Sequence, residues 1–168
     1  MKTLLTLSVF LICLVTPFDS FSQEKGDIKL SAGFSGMHLD HSLGLAVGAE
    51  YVYAKNFSVA ANLLYSERGP AYLVSFESFL GIDFRYYFLK KGINAYAFSG
   101  YGNHQVQGIR ANDFGLRNYH SATFGAGAEY SVGDKLDVYV QSKGWYNAEG
   151  AFQTFNLGVI FRLNKKDD

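Results

Sequence analysis

Apolar and polar residues alternate with a period of two over most of the chain beyond residue 25. In the first run, Ile28 and Leu30 share one face and Lys29 lies on the other. This alternation is typical of β-strands with one apolar face. Eight such runs predict strands over 26–36, 43–53, 57–66, 72–88, 93–102, 122–132, 136–143 and 154–163. In the fifth run, Tyr96 and Phe98 oppose two alanines, so either face could point outward.

The connections between the predicted strands alternate in length. Tight turns follow the second, fourth and sixth strands, at 55–56, 90–92 and 133–135. Longer and more polar segments follow the odd strands, at 37–42, 66–71, 103–119 and 147–151. Short turns at one end and long loops at the other are typical of outer-membrane barrels, whose short turns lie in the periplasm. The sequence therefore predicts an all-β, eight-stranded antiparallel up-and-down transmembrane β-barrel.

The two faces of the predicted strands differ in residue type. One carries most of the aliphatic and aromatic side chains, and the other carries charges and many of the 18 glycines. A soluble barrel would expose those glycines, whereas a membrane barrel places small residues in its narrow lumen. Aromatic residues also form two bands near the strand ends, as expected at two lipid–water interfaces. The bands comprise Tyr51, Tyr53, Phe57, Tyr86, Phe88, Tyr130 and Phe161, and Phe34, Tyr65, Phe76, Tyr146 and Phe155. A secreted soluble barrel or sandwich is the alternative.

The predicted lumen holds charged residues of both signs. They are Lys29, Glu50, Glu77, Asp83, Arg85, Glu129, Asp137, Lys143 and Arg162. Eight strands enclose a space that side chains can fill, and buried charges need partners. We therefore expect a core of ion pairs, with Glu77 and Asp83 as partners of Arg85. The inward rings that add bulk are Phe79, Tyr87, Tyr139 and Trp145. A charge-selective channel is the alternative.

A four-residue segment occurs twice in the chain. Residues 48–51 and 127–130 both have the sequence Gly-Ala-Glu-Tyr. Each copy ends an even-numbered strand just before a tight turn, with its glutamate on the polar face and its tyrosine on the apolar face. The shared register supports the strand assignment.

The first 22 residues have the layout of a signal peptide for Sec export. One lysine is followed by the apolar run 4–15, by Pro17 and by small residues up to Ser22, after which we predict cleavage. The run is shorter than the about 20 residues of a transmembrane helix, although a short membrane anchor is an alternative. Cys13 lies in this run, so the mature chain 23–168 would have no disulfide and no thiolate metal site. The formal charge of zero gives no basic excess for nucleic acid.

Histidines provide the main candidates for catalysis or metal binding. With one nearby aspartate, the candidates are His38, Asp40, His41, His104 and His120. A loop tip gives metal ligands no fixed geometry, so we predict solvated loop histidines. His120 and Ser121 are adjacent on a strand and would point to opposite faces. We therefore predict no catalytic, cofactor-binding or metal-binding residue, and a membrane-embedded lipid-modifying enzyme or protease is the alternative.

The segment 103–119 is the most unusual connection. It mixes Ile109, Phe114, Leu116 and Tyr119 with charged residues. Exposed apolar residues among charges can mark a binding surface, so this is the candidate site for an extracellular ligand. A folded-over loop, or strand extensions that pack on themselves, explains the same residues, and we favour this interpretation. The predicted fourth strand already exceeds the about 9–11 residues that a tilted strand needs to span a bilayer.

From about Gly26 to Leu163, the mature chain resembles the small outer-membrane barrels of the OmpX and OmpA transmembrane-domain type. The strand sequence Tyr-Ala-Phe-Ser-Gly-Tyr-Gly, residues 96–102, is similar to barrels of Bacteroidetes-type bacteria. The resemblance implies a bacterial outer-membrane location, insertion by the barrel assembly machinery, and a role in envelope integrity, adhesion or resistance to host defence. One departure is that Phe161 is followed by a polar end, 164–168, where many such barrels have a terminal aromatic residue. An OmpA-like peptidoglycan-binding domain is not implied.

These observations predict a non-enzymatic integral outer-membrane barrel with a filled polar lumen and a structural or adhesive role. The expected partners are outer-membrane lipid, the assembly machinery during insertion and an extracellular ligand at 103–119. We expect a monomer that binds no nucleic acid and needs no cofactor. The alternatives are a narrow channel or transporter for small solutes and, second, the lipid-modifying enzyme.

Overall fold

A closed sheet of eight strands forms the whole described part of the chain. The computed structural model describes residues 25–37, 43–68, 75–91, 93–110, 113–148 and 150–163. The strands are β1 Ile28–Met37, β2 Leu43–Ala54, β3 Phe57–Arg68, β4 Ser75–Lys91, β5 Ile93–Arg110, β6 Asp113–Ser131, β7 Leu136–Asn147 and β8 Gly150–Arg162. Each pairs antiparallel with its neighbours in the chain, and β8 pairs with β1. The predicted up-and-down barrel is confirmed. No helix in the described ranges is long and apolar enough to cross a bilayer.

The pairing register staggers the strands around the barrel. From Phe34, the pairs in one direction lead to Asn118 of β6, and the pairs in the other direction lead to Ala128 of the same strand. This offset of ten residues tilts the strands, by about 35–45° in barrels of this kind. Eight strands with that tilt leave an interior that side chains just fill.

The alternation of faces is confirmed in all eight strands. The charged residues predicted for the lumen are buried, apart from the partly exposed Arg162. The fifth strand, which the pattern left open, turns Tyr96 and Phe98 into the lumen. The exposed surface is apolar, and every strand has exposed side chains of the types Leu, Val, Ile, Phe or Tyr. A barrel that is polar inside and apolar outside suits lipid, and closure leaves no unpaired strand edge in the bilayer.

The two ends of the barrel differ. At the turn end, β2 and β3 are joined by the tight turn 55–56, and β6 and β7 by residues 132–135. At the hairpin end, β5 and β6 pair as far as Arg110 and Asp113, and β7 and β8 pair as far as Asn147 and Gly150. Gly150 has a φ of 139°, which glycine adopts readily, and this allows the chain to turn sharply.

The prediction of loops at 103–119 and 147–151 is therefore wrong, because both segments are mostly strand. Polar residues between apolar runs are typical of irregular structure. In a strand that has left the lipid, polar side chains can face outward without breaking the ladder. The alternative of strand extensions for 103–119 is confirmed. The predicted signal peptide 1–22 with Cys13, the predicted connection 37–42 and the end 164–168 lie outside the described residues, apart from Met37 at the end of β1.

Candidate functional site

A cluster of charged groups fills the lumen near the turn end. We call Lys29, Glu50, Arg85, Tyr87 and Glu129 the turn-end network. Lys29 Nζ donates to Glu129 Oε2 at 2.7 Å, and Arg85 Nη1 donates to Glu50 Oε2 at 2.7 Å. The Tyr87 hydroxyl lies 2.7 Å from Glu50 Oε1 and 2.8 Å from Glu129 Oε1, so it can donate to either carboxylate. Two cations and two anions thus neutralise one another across the lumen.

The two glutamates of this network come from the repeated Gly-Ala-Glu-Tyr segment. Glu50 lies on β2 and Glu129 on β6, on opposite sides of the barrel. Tyr51 and Tyr130, which follow them, are on the outer surface. The repeat thus supplies both carboxylates of the turn-end network.

A second set of ion pairs differs from the one we expected for Arg85. Asp83 accepts from Lys143 Nζ, Asn62 Nδ2 and Thr123 Oγ1, each at 2.7 Å. Arg85 instead pairs with the two glutamates of the turn-end network. The predicted partnership of Arg85 with Glu77 and Asp83 is wrong, because alternation assigns a face but leaves open which strands meet across the lumen.

Below the turn-end network, Arg162 donates two hydrogen bonds to Asp137. Its Nε and Nη2 atoms each lie 2.7 Å from a carboxylate oxygen. Arg162 Nη2 also donates to Ser131 Oγ at 2.8 Å. This two-pronged geometry is the strong form of an arginine–carboxylate pair. It closes the lumen at the turn end.

Aromatic rings fill the lumen near the hairpin end. We call Leu64, Phe79, His104, Trp145 and Phe152 the hairpin-end plug. The rings of Phe79 and Trp145 stack with centroids 5.3 Å apart and planes 9° from parallel. Trp145 and Phe79 are almost completely buried. The predicted bulk from these inward rings is confirmed.

His104 is buried in this plug, so the prediction of a solvated loop histidine is wrong for it. Its Nε2 lies 3.5 Å from Glu77 Oε2, and its Nδ1 lies 3.4 Å from Asn147 Nδ2. Asn147 Nδ2 also donates to Ser121 Oγ at 3.4 Å. The alternation does not reveal this cluster, because it leaves the facing of the fifth strand ambiguous and the polar residues of 103–119 predict a connection.

The cluster brings histidine and serine together without exposing them to a substrate. His104 is 2% exposed and Ser121 is 0% exposed. His120 lies on the outer surface, so the opposite facing of His120 and Ser121 is confirmed. His38, Asp40 and His41 lie outside the described residues. Among the described side chains, no three His, Cys, Asp or Glu groups converge to hold a metal ion.

The longest pair of strands forms a projecting hairpin, residues 103–110 and 113–120. On β5 the outward residues below it are Ile93, Ala95, Ala97, Ser99 and Tyr101, and those within it that are described are Asn103, Gln105 and Gln107. On β6 the outward residues change from alanines and aromatics to His120 and Asn118, and the exposed Leu116 follows them. The change begins at the Asn103–His120 pair on both strands, so the continuous apolar surface of these strands ends below that pair.

The fold is that of small eight-stranded outer-membrane barrels. The N-terminal β-barrel domain of Pseudomonas aeruginosa OprF has a TM-score of 0.70 and 19% identity, with 84% of this chain and 100% of that chain covered. Ail, the attachment invasion locus protein of Yersinia pestis, has a TM-score of 0.64 and 14% identity, with 83% and 100% covered. Neisserial surface protein A has a TM-score of 0.59 and 11% identity, with 81% and 93% covered. No family model matches the sequence. No curated protein matches it either.

Proposed function

We propose that this chain is a non-enzymatic integral protein of a bacterial outer membrane that binds an extracellular ligand through its projecting hairpin. The hairpin end faces the exterior and the turn end faces the periplasm. The chain reaches the membrane after Sec export with cleavage near Ser22, is inserted by the barrel assembly machinery and works as a monomer. The observation that carries the proposal is the continuation of the β5–β6 ladder beyond the apolar surface.

The strand lengths support a hairpin that stands clear of the bilayer. β5 has 18 residues and β6 has 19, whereas β1 has 10. A tilted strand needs about 9–11 residues to cross the hydrocarbon, so about eight residues of β5, roughly 25 Å of strand, remain beyond it. A continuous ladder makes this extension a firm platform for contact with another surface.

The structural neighbours support a surface role. Ail carries attachment in its name, and one of its structures is a complex with the heparin analogue sucrose octasulfate. Barrels of this fold thus include a protein with a polysaccharide-like ligand. Among the described residues of the present chain, those of the hairpin belong to the two longest strands.

Shortening the hairpin tests this proposal. Gln105 pairs with Asn118, so replacing residues 106–117 by Asn-Gly closes the ladder with a two-residue turn. The change removes the partners of residues 75–77 of β4 and keeps the pairs of the barrel wall below them. Cells displaying this variant should bind immobilised heparin and extracellular-matrix proteins several-fold less than cells displaying the native chain. The matched control is Ala148→Asn with Glu149→Gly, which places the same turn sequence at the β7–β8 hairpin and should leave binding unchanged.

Outer-membrane fractionation and a gel with unheated and boiled samples establish that each variant is inserted and folded. A folded membrane barrel is expected in the outer-membrane fraction and should change its mobility on boiling. Native binding equal to that of the shortened variant on every surface would contradict adhesion. Recovery of the native chain in the soluble periplasmic fraction would contradict the membrane location itself.

The filled lumen supports a barrel that does not conduct. The turn-end network, the Asp83–Lys143 pair and the hairpin-end plug lie one above another, and a cavity beside Arg85 and Trp145 has a volume of ≈ 30 Å³. This volume holds about one or two water molecules. We therefore expect planar bilayers containing the protein to lack large, stable conductance steps. Such steps would favour the channel alternative.

A further inference from the structure

A groove on the outer surface lies at the base of the projecting hairpin. Its volume is ≈ 280 Å³, just below the about 300–1,000 Å³ typical of small-molecule sites. The described residues that line it come from four adjacent strands. They are Tyr65 of β3, Phe76 and Ser78 of β4, Gln105 and Gln107 of β5, and Leu116 of β6.

The lining combines flat aromatic rings with uncharged hydrogen-bonding groups. The rings of Tyr65 and Phe76 stack with centroids 6.0 Å apart and planes 21° from parallel. Gln105 and Gln107 are exposed, and each amide offers two N–H donors and a carbonyl acceptor. The negative face of an aromatic ring attracts the C–H groups of an apolar ligand face. These are the two surfaces of a sugar ring, which has C–H groups on one face and hydroxyls around its edge.

The groove is unsuited to an anionic ligand. None of the described lining residues is charged. Phosphate and sulfate groups are normally recognised by arginine or lysine. Glu67, the residue that pairs with Phe76, is exposed, and its carboxylate would repel an anion. The chemistry therefore selects an uncharged sugar.

The level of the groove favours a ligand that is already in the membrane. Tyr65 belongs to the predicted aromatic band near the hairpin end. The outward-facing residues below the groove, such as Leu80, are apolar. Gln105 and Gln107 lie just above the point where β5 becomes polar. The groove is lined by outward-facing side chains of the barrel surface, and its volume suits a ring rather than a long glycan.

We propose that this groove binds the uncharged sugar headgroup of a glycolipid in the outer leaflet. The sugar stacks on Tyr65 and Phe76, and its hydroxyls bond to Gln105, Gln107 and Ser78. The acyl chains of the glycolipid lie along the apolar wall below the groove. The inference rests on the proposed membrane location and is independent of adhesion to another surface.

The test uses the full barrel purified from membranes and placed in phosphatidylcholine nanodiscs. Monogalactosyl diacylglycerol with the same acyl chains is added in increasing proportion, and the backbone amide resonances of Ser78 and Leu116 are followed. Saturable shifts are expected with the native chain. The double variant Gln105→Ala/Gln107→Ala loses hydrogen bonds from two amides, so its apparent Kd should rise about tenfold.

Two further variants separate stacking from general changes at the rim. Phe76→Leu keeps an apolar side chain but removes a ring, and it should also weaken binding. Gln153→Ala changes an exposed glutamine of β8, outside the groove, and should leave the affinity unchanged. The backbone spectrum of each variant shows that the barrel is folded, so a barrel that fails to insert is distinguished from a folded barrel that does not bind.

Four results would overturn the proposal. Equal shifts with diacylglycerol of the same acyl chains, added in place of the glycolipid, would mean that the groove does not require a sugar. Equal affinity for soluble methyl galactoside would mean that the membrane is not the source of the ligand. Shifts that depend on protein concentration would identify a second copy of the chain as the occupant. An unchanged Kd in the double glutamine variant would remove the groove from the binding site.

Discussion

The two halves of the lumen are filled by different chemistry. Near the turn end, Lys29, Arg85, Glu50 and Glu129 neutralise one another at distances down to 2.7 Å. Near the hairpin end, Phe79 stacks on Trp145 and the contacts are mainly between rings. A buried charge that loses its partner is strongly destabilising, whereas a ring contact contributes in smaller increments. We therefore expect substitutions in the turn-end network to be the more damaging.

Removing one carboxylate from the turn-end network should have the largest effect. Glu129→Ala leaves Lys29 without its 2.7 Å partner in a site where both side chains are almost completely buried. Breaking a buried pair costs about 3–5 kcal/mol, so the free energy of unfolding in urea from lipid vesicles should fall by about that amount. A loss below about 1 kcal/mol would show that Glu50, 3.9 Å from Lys29 Nζ, can replace Glu129.

A matched double variant separates lost charge pairing from lost packing. Lys29→Met with Glu129→Leu removes both charges and keeps most of the side-chain volume. Replacement of a buried pair by apolar residues is often close to neutral, so this variant should be clearly more stable than Glu129→Ala. Equal instability of the two variants would assign the effect to packing.

Replacing a glycine that lies beneath a ring in the lumen should give the next largest loss of stability. The turn-end and hairpin-end halves of the lumen should again differ. A Cβ at Gly102 would meet the Phe79 ring, the Leu80 carbonyl oxygen at 2.6 Å and Gly81 Cα at 2.8 Å. Backbone atoms cannot move aside, so Gly102→Ala should cost about 1–3 kcal/mol through overpacking. For glycine-to-alanine substitutions the hairpin end is therefore the more sensitive half of the lumen. This order is the reverse of the one expected for substitutions of the charged groups and the rings themselves.

Gly127→Ala is the counterpart near the turn end. There the three atoms nearest to the added Cβ all belong to the Tyr96 side chain, the closest at 2.5 Å. The Tyr96 hydroxyl has no hydrogen-bond partner among the described residues, so the ring can tilt without breaking a bond. Urea unfolding should therefore show a smaller loss than for Gly102→Ala. A larger loss at Gly127 would mean that the Tyr96 ring is held as rigidly as backbone.

The sequence predicted the barrel well because alternation is a local property. Whether Lys29 or Ile28 points into the lumen follows from counting by two along one strand, and eight strands of this type have few ways to close. The glutamates of the repeated segment were placed on the correct face for the same reason. Only the fifth strand, with small and large residues on opposite faces, lacked a clear local signal.

Contacts across the lumen could not be predicted in this way. Asp83 and Arg85 are two residues apart and share a face, yet one pairs with Lys143 and the other with Glu50. Those pairings depend on the ten-residue stagger of the barrel. This stagger cannot be read from the sequence of any single strand. The burial of His104 depended on the extension of β5, and the polar residues above Tyr101 concealed that extension. These polar residues show where β5 leaves the lipid, and the strand itself continues beyond that point.

The smallest effect is expected for a change of ring shape in the hairpin-end plug. Phe79→Leu keeps an apolar side chain in the lumen but removes the stack on Trp145 and the ring that lies 4.8 Å from Lys143 Nζ. Aromatic pairs contribute about 0.5–1.5 kcal/mol beyond their buried area, so a loss of about 1 kcal/mol in urea unfolding is expected. Phe124→Leu is the control, because its ring is 55% exposed on the outer surface.

The difference between these two leucine variants isolates what the lumen adds to an aromatic ring. Leucine in the outer position exchanges one lipid-facing apolar group for another, so its effect should be the smaller. If Phe79→Leu were harmless and Phe124→Leu damaging, the ring stack would contribute nothing and the outer aromatic surface would stabilise the barrel instead. If Phe79→Leu approached the loss seen for Glu129→Ala, the proposed contrast between the charged and aromatic halves of the lumen would fail.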